Sequence, residues 1–244
     1  MDGVLFDKDG VIGDGQALCV ALHQARRAVL VREFGERAGD FYDWVMDAGH
    51  VCTAEGAAML ASLAEAEVLM AWVIRRATAL DWSEARERAR QVTVAADQAV
   101  DVARVPLTRG AREILEQLKR HRVPVGLLTA DGRERTGNQL RHWKIASFFD
   151  VVVTDDDVAI AKPDPAGALL AAKRLGLDPQ RLVLVGDSPN DWRLAEAVGM
   201  PCVALASEAP QGFSSVLATI RDFSDVIVLP PEEGKASGAN SDRR

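Results

Sequence analysis

A series of short apolar runs constrains this chain most: Val123 to Leu128, Val151 to Thr154, Leu182 to Val185, Cys202 to Leu205 and Val226 to Leu229. None of them alternates polar with apolar residues, the pattern of strands buried on both faces of a parallel sheet. Amphipathic stretches lie between them, such as Ala166 to Leu175 and Trp192 to Val198. Gly176 and Gly199 follow these stretches, where glycines end helices. A further run, Val4 to Phe6, supplies a first strand. Strand–helix alternation of this kind predicts an α/β fold built on a doubly wound parallel sheet.

Residues 15–105 read differently. Alanine, leucine, glutamate and arginine dominate and no strand stands out. Leu60, Leu63, Ala64 and Glu67 sit at helical spacing, as do Ala85, Ala89, Val92 and Ala96. Three to five helices are expected, forming a small all-α domain inserted after the first strand. The expected boundaries are a core of 1–14 and 106–230, a helical cap of 15–105 and a disordered polar tail of 231–244. Hinges fall near Gly13–Gly15 and Ala103–Thr108. Ala57, Ala58, Met59 and Leu60, with Trp44, Trp72 and Trp82, are expected to pack the cap interior. Only six residues precede Asp7, short for a central strand, so the true start is expected upstream.

Composition narrows the partners. Twenty-nine Lys and Arg stand against 36 Asp and Glu, a formal charge of −7. Such a surface repels nucleic acid and anionic lipid, leaving a small molecule as the expected partner. No apolar run approaches the ~20 residues of a membrane helix, and no secretory signal is recognisable. Cys19, Cys52 and Cys202 are unevenly spaced without a CxxC pair, which suits buried thiols in a reducing cytoplasm better than disulfides or zinc. Monomer and homodimer are equally open.

The chemistry sits at the strand ends. Val4-Leu5-Phe6 runs straight into Asp7-Lys8-Asp9-Gly10-Val11. Open α/β sheets bind ligands at the C-terminal ends of their strands, so both aspartates fall in the ligand crevice. Asp7 suits a nucleophile that forms an aspartyl-phosphate. Asp9 suits the acid that protonates the leaving alcohol and then deprotonates water. Gly10 allows the bend and a close approach to phosphate. Lys8 is expected to point to the opposite side and receives no role. An acidic turn after an edge strand would show the same residues.

Three further strand ends add to this. Gly126-Leu127-Leu128-Thr129-Ala130 ends in a hydroxyl, and Thr129 Oγ with the N–H of Ala130 suits a phosphoryl oxygen. In Ala161-Lys162-Pro163-Asp164-Pro165, Lys162 is a fixed charge ahead of a helix, able to neutralise phosphate. Val183-Leu184-Val185-Gly186-Asp187-Ser188-Pro189-Asn190-Asp191 ends in hard oxygen donors that suit Mg²⁺. Asp187 is expected to bind the metal directly, with Asp7 and the backbone carbonyl of Asp9. Asp191 would bind through water or orient other groups, with Gly10 and Asn190 in support. Ser188 or Asn190 as the N-cap of the next helix is the plainer reading, but it leaves two acids in a buried crevice unexplained.

Each signal is modest alone; their order carries the argument. A nucleophile, a phosphate hydrogen bond, a charge clamp and a metal site are the parts of a phosphoryl-transfer centre. The stretches FDKDGV, LLTA, AKPDP and VGDSPND resemble the four motifs of the haloacid dehalogenase superfamily, over almost the whole chain apart from the tail. The resemblance implies a Rossmann-like core with a helical cap inserted between the first and second motifs. It also implies Asp7 as nucleophile, Asp9 as acid/base, Thr129 and Lys162 on phosphate, and Asp187 on Mg²⁺.

Within that family, a dehalogenase has no leaving alcohol to protonate, so Asp9 and the acidic fourth motif point to phosphate esters. The chain is similar to the phosphoglycolate phosphatase-like group, which shares the helical cap and the GDSxxD pattern. That group commonly has asparagine after the second-motif threonine, where this chain has Ala130 and then Asp131. The alternative is a sugar-phosphate mutase resembling β-phosphoglucomutase, because DGVI follows Lys8. The mutase histidine falls at Cys19 here, with His23 one helical turn further on. A nucleotidase and a catalytically idle phosphoester-binding protein are further readings; the intact Asp7, Asp9, Lys162 and Asp187 argue against idleness.

Overall fold

The computed structural model describes residues 1–46, 63–224 and 226–229. Cys52, the run Ala57 to Leu60 and the tail of 231–244 lie outside the described residues. Six parallel strands form one sheet: β1 (Gly3–Phe6), β2 (Val125–Leu128), β3 (Val151–Val153), β4 (Leu182–Gly186), β5 (Cys202–Leu205) and β6 (Val216–Ile220). Their spatial order is β3-β2-β1-β4-β5-β6, so the winding reverses between β1 and β4, where such sheets open a ligand crevice. Phe6 pairs with Leu127 of β2 and Val185 of β4, which brings three strand ends level.

The sheet is covered on both faces. Phe6, Val125, Leu127 and Val185 pack under Ile114, Leu115 and Leu118 of α5 (Ala111–Arg120) and Leu140 of α6 (Arg133–His142). Leu5, Leu128, Leu182 and Leu184 pack under Ala168, Ala171 and Ala172 of α7 (Ala166–Leu175) and Leu194 and Ala195 of α8 (Pro189–Val198). Both α7 and α8 end on left-handed glycines, Gly176 and Gly199, at the expected places.

Between β1 and α5 come α1 (Gly15–Phe34), α2 (Glu36–Val45), α3 (Leu63–Ala77) and α4 (Trp82–Ala99). They bury a separate apolar cluster that includes Val29, Leu30, Tyr42, Ile74, Ala85, Ala89, Val92 and Ala96. The N-terminal half of α1 belongs elsewhere: Leu18 and Leu22 pack into the cluster beneath the sheet. The two linkers pair through an antiparallel bridge between Gly13 and Leu107. Asp14 N–H donates to Pro106 O and Thr108 N–H to Ile12 O, both at 2.9 Å.

Two expectations are corrected. Val226 to Leu229 is not a strand; the sheet closes on Val216–Ile220 instead. That edge strand leaves Leu217 exposed, while Val226 and Val228 pack half-buried against the core from an irregular segment whose Ile227 and Leu229 are exposed, Val228 N–H donating to Gln117 Oε1 at 3.0 Å. Apolar character in this stretch reflects packing without pairing. The tryptophans do not fill the helical cluster: Trp44 is 73% exposed, Trp82 43% and Trp72 36%. Alanines line the cluster instead, Ala71, Ala85, Ala89 and Ala96 being fully buried. Helices that approach over alanine leave no space for an indole, and Trp44 and Trp72 stack on each other at the surface with centroids 5.9 Å apart.

Candidate active site

Asp7 is the first residue beyond β1, and its N–H donates to Val185 O of β4 at 2.9 Å, which fixes the chain at the crevice. Lys162 comes from the loop before α7, joined to Pro163 by a cis peptide bond. Its ammonium bridges two carboxylates, donating to Asp7 Oδ1 at 2.6 Å and Asp191 Oδ1 at 2.8 Å. Asp187 follows β4 directly, and carboxylate oxygens of Asp7, Asp187 and Asp191 all lie within 4.8 Å of one another. Ser188 caps α8, and its Oγ donates to Asp191 Oδ2 at 2.6 Å while its N–H reaches the same oxygen at 3.2 Å. The N-cap reading of Ser188 and the acidic site therefore coexist: Asp191, fully buried, closes the capping box and also holds Lys162.

Charge in this cluster is unbalanced. Burial pushes the Asp7 carboxyl up to about 7, the charges of Asp191 and Asp9 adding to the rise and Lys162 opposing it. Burial likewise holds the Asp187 carboxyl well above its usual range, with Asp7 and Asp191 adding. For Lys162 burial acts downward, but the carboxylates of Asp191 and Asp7 outweigh it and raise its pKa above the usual lysine value. Three acids share one ammonium. Clustered hard oxygen donors whose negative charge is only partly offset fit a small divalent cation such as Mg²⁺. Both Asp191 oxygens already serve Lys162 and Ser188, which suits that residue to orienting the clamp.

Gly10 has φ +88°, and a Cβ on it would run into the Asp187 carboxylate. Thr129, buried beyond β2, is positioned by its N–H on Val153 O at 3.0 Å, and its Oγ1 accepts from Asp131 N–H at 3.1 Å. Ala130 lies between them, half-buried, and Asn190 lies in the first turn of α8.

Lys8 departs from expectation. It does not turn away but lies fully buried against the second aspartate, donating to Asp9 Oδ1 at 2.8 Å, to Asp131 Oδ2 at 2.6 Å and to Gln139 Oε1. Strand alternation ends at Phe6; the N–H groups of Ile12 and Gly13 both fold back onto Lys8 O, so residue 8 sits in a tight turn. Burial pushes Lys8 and Arg135 downward, opposed chiefly by Asp9 and Asp97 respectively. Lys8, Asp131, Arg135 and Gln139 were absent from the sequence-derived site. A lysine where an apolar residue would suffice, and the i, i+4 pair Asp131–Arg135, were the available signals.

A family model described as "haloacid dehalogenase-like hydrolase" matches residues 1–199. The chain belongs to that family. Among curated proteins, the chain is 38% identical over 126 residues to a phosphoglycolate phosphatase of Yersinia pseudotuberculosis, covering 48% of this chain and 53% of that protein. It is 34% identical over 132 residues to the phosphoglycolate phosphatase of Escherichia coli K12, covering 51% and 52%. The match thus spans about half the length of these relatives. Among solved structures, an HAD phosphatase from Thermococcus onnurineus superposes with a TM-score of 0.61 at 24% identity, over 91% of this chain and 94% of that one. That likeness confirms the Rossmann-like fold. No described helix is long and apolar enough to cross a membrane.

Proposed function

We propose that the chain is a phosphatase that hydrolyses a small phosphate monoester through an aspartyl-phosphate on Asp7, with Mg²⁺ as cofactor. Phosphoglycolate-like esters are the favoured substrates, because the curated relatives bear that name. The observation that supports this most is the Lys162 ammonium held between Asp7 and Asp191, with Asp187 beside them.

Lys162 takes Asp7 Oδ1, which turns the other oxygen into the nucleophile. As the Asp7 oxygen bonds to phosphorus and the ester P–O bond breaks, Asp9 gives its proton to the departing alkoxide. Asp9 then takes a proton from water; the new P–O bond forms as the aspartyl one breaks, and phosphate leaves. Thr129 Oγ1, the Ala130 N–H and Lys162 hold the phosphoryl oxygens through these steps. Asp7, Asp187 and the backbone carbonyl of Asp9 would hold Mg²⁺, which supplies positive charge that keeps Asp7 ionised and offsets its repulsion from phosphate. Residues 15–105 would act as the cap over a core of 1–14 and 106–230, with the paired linkers at Gly13 and Leu107 as hinge.

His23 stacks on Tyr42 and faces Asp43 at 3.5 Å, and Cys19 is buried on the same helix. That engagement supports a structural part for His23 rather than a mutase acid.

Phosphate release from a panel including p-nitrophenyl phosphate and 2-phosphoglycolate should require Mg²⁺ and vanish with EDTA. A panel left wholly intact would overturn the reading, and transfer from a sugar bisphosphate without release would favour the mutase. Gly10→Ala should displace Asp187 and cut release about 100-fold, the scale of a ~1 Å misplacement. Unchanged activity and Mg²⁺ requirement in that variant would show that Asp187 is not needed where it stands.

A further inference from the structure

A chain of charges with alternating sign leads from the catalytic acid into the inserted helices. Lys8 Nζ holds Asp9 Oδ1 at 2.8 Å and Asp131 Oδ2 at 2.6 Å. Arg135 Nε holds the same Asp131 oxygen at 2.7 Å, and its Nη2 takes Asp131 Oδ1. Arg135 Nη1 then reaches Asp97 Oδ1 at 2.9 Å. Asp97 belongs to α4, whereas Arg135 belongs to α6 beside the sheet.

An ammonium has three donors, and those of Lys8 go to Asp9, Asp131 and Gln139. With Nζ pinned, Asp9 Oδ1 is pinned too. The remaining oxygen belongs to a side chain 26% exposed, against 0% for Lys8, so it is the one left to meet a leaving group. Every inner member of the series lies between two opposite charges: Asp131 between Lys8 and Arg135, Arg135 between Asp131 and Asp97. Buried networks keep their geometry only while each member is compensated. Removing the Asp97 charge would take from Arg135 one of its two hydrogen-bonded carboxylates and make it lean on Asp131, pulling that carboxylate from Lys8 and releasing Lys8 to shift on Asp9.

We propose that Asp97 is a positioning residue for Asp9, acting through Arg135, Asp131 and Lys8, so that proton delivery to the leaving group is assembled only with the helical insertion seated on the sheet. This rests on the reading of Asp9 as general acid.

The test is the slope of log kcat/KM against leaving-group pKa, over aryl and alkyl phosphates, for the full-length wild type, Asp9→Asn, Asp97→Asn and Asp97→Glu. An alkoxide needs its proton and p-nitrophenolate does not. Asp97→Asn should therefore slow alkyl esters about tenfold and p-nitrophenyl phosphate hardly at all, a fraction of the ~100-fold or more expected for Asp9→Asn on alkyl esters. Asp97→Glu should restore most of the alkyl rate. A purely structural or cap-closing part for Asp97 would lower all esters alike, and that result, or no change, overturns the inference while Asp9→Asn still steepens the slope. If Asp9→Asn leaves the slope flat, the acid assignment itself fails and this inference with it. Should Asp97→Asn melt early, Asp131→Asn carries the same comparison, with the same slope change expected and a flat response again overturning it.

Discussion

Phosphate release by the Asp7→Asn protein should fall by about four orders of magnitude or more, the scale of losing a covalent nucleophile. An asparagine amide is nearly isosteric with the carboxylate but attacks phosphorus poorly. Lys162 keeps Asp191 as a partner in the variant, so the crevice should stay assembled. Inorganic phosphate should still bind, through Thr129, Ala130 and Lys162, within a few-fold of wild type on the scale of one lost contact. Single-turnover release, with phosphate binding followed by calorimetry, separates the two effects. Activity within about tenfold of wild type would mean that water attacks the ester directly and that Asp7 only holds the metal.

The second large effect is on stability. Asp7 has its carboxyl raised to about 7 in the metal-free fold, against 3.8 for an unperturbed aspartate, and Asp187 is raised as well. Between those values the native state holds protons that the unfolded chain has released. Linkage then makes this contribution fall as pH rises from about 4 to about 7, by ~1.4 kcal/mol for each unit separating the two pKa values. Metal-free protein should therefore lose stability from this site as pH climbs, and Asp7→Asn should flatten that slope. Mg²⁺ needs the ionised carboxylates, so it should stabilise strongly at pH 8 and weakly at pH 5.5. At 100 times its Kd the gain is about 2.7 kcal/mol, or roughly 5–10 °C in Tm for a chain of this size. Equal Mg²⁺ shifts at both pH values would place the ion elsewhere.

Much of the sheet and the clamp was legible because it lies where local rules hold. Val125, Leu127, Leu182 and Leu184 announce strands buried on both faces, and Gly176 and Gly199 mark the ends of α7 and α8. Asp7 and Asp187 follow strand ends, Lys162 precedes α7 and Asp191 lies in the first turn of α8, so their convergence is a consequence of topology that chain order already encodes. Lys8 was misread because alternation was carried two residues beyond Phe6, the last residue of the strand that justifies it. Its partners Asp131 and Gln139 stand 123 and 131 residues away, and no local pattern encodes such a contact. The tryptophans were misread because size suggests a core, whereas close-packed alanine helices exclude indoles. β6 was misread because Val216–Ile220 mixes Ala and Thr with its apolar residues, whereas Val226 to Leu229 is an unbroken apolar run although only Val226 and Val228 pack on the core.

Helix α1 is one continuous 20-residue element, about 30 Å long. Its first turns place Leu18 and Leu22 among the side chains beneath the sheet, and its last turns place Val29 and Leu30 among the inserted helices. The two apolar clusters thus share a single beam. Fraying that beam at one end removes wall from the other cluster, so the insertion and the sheet are coupled in unfolding as one cooperative unit, even though their side chains form separate interiors.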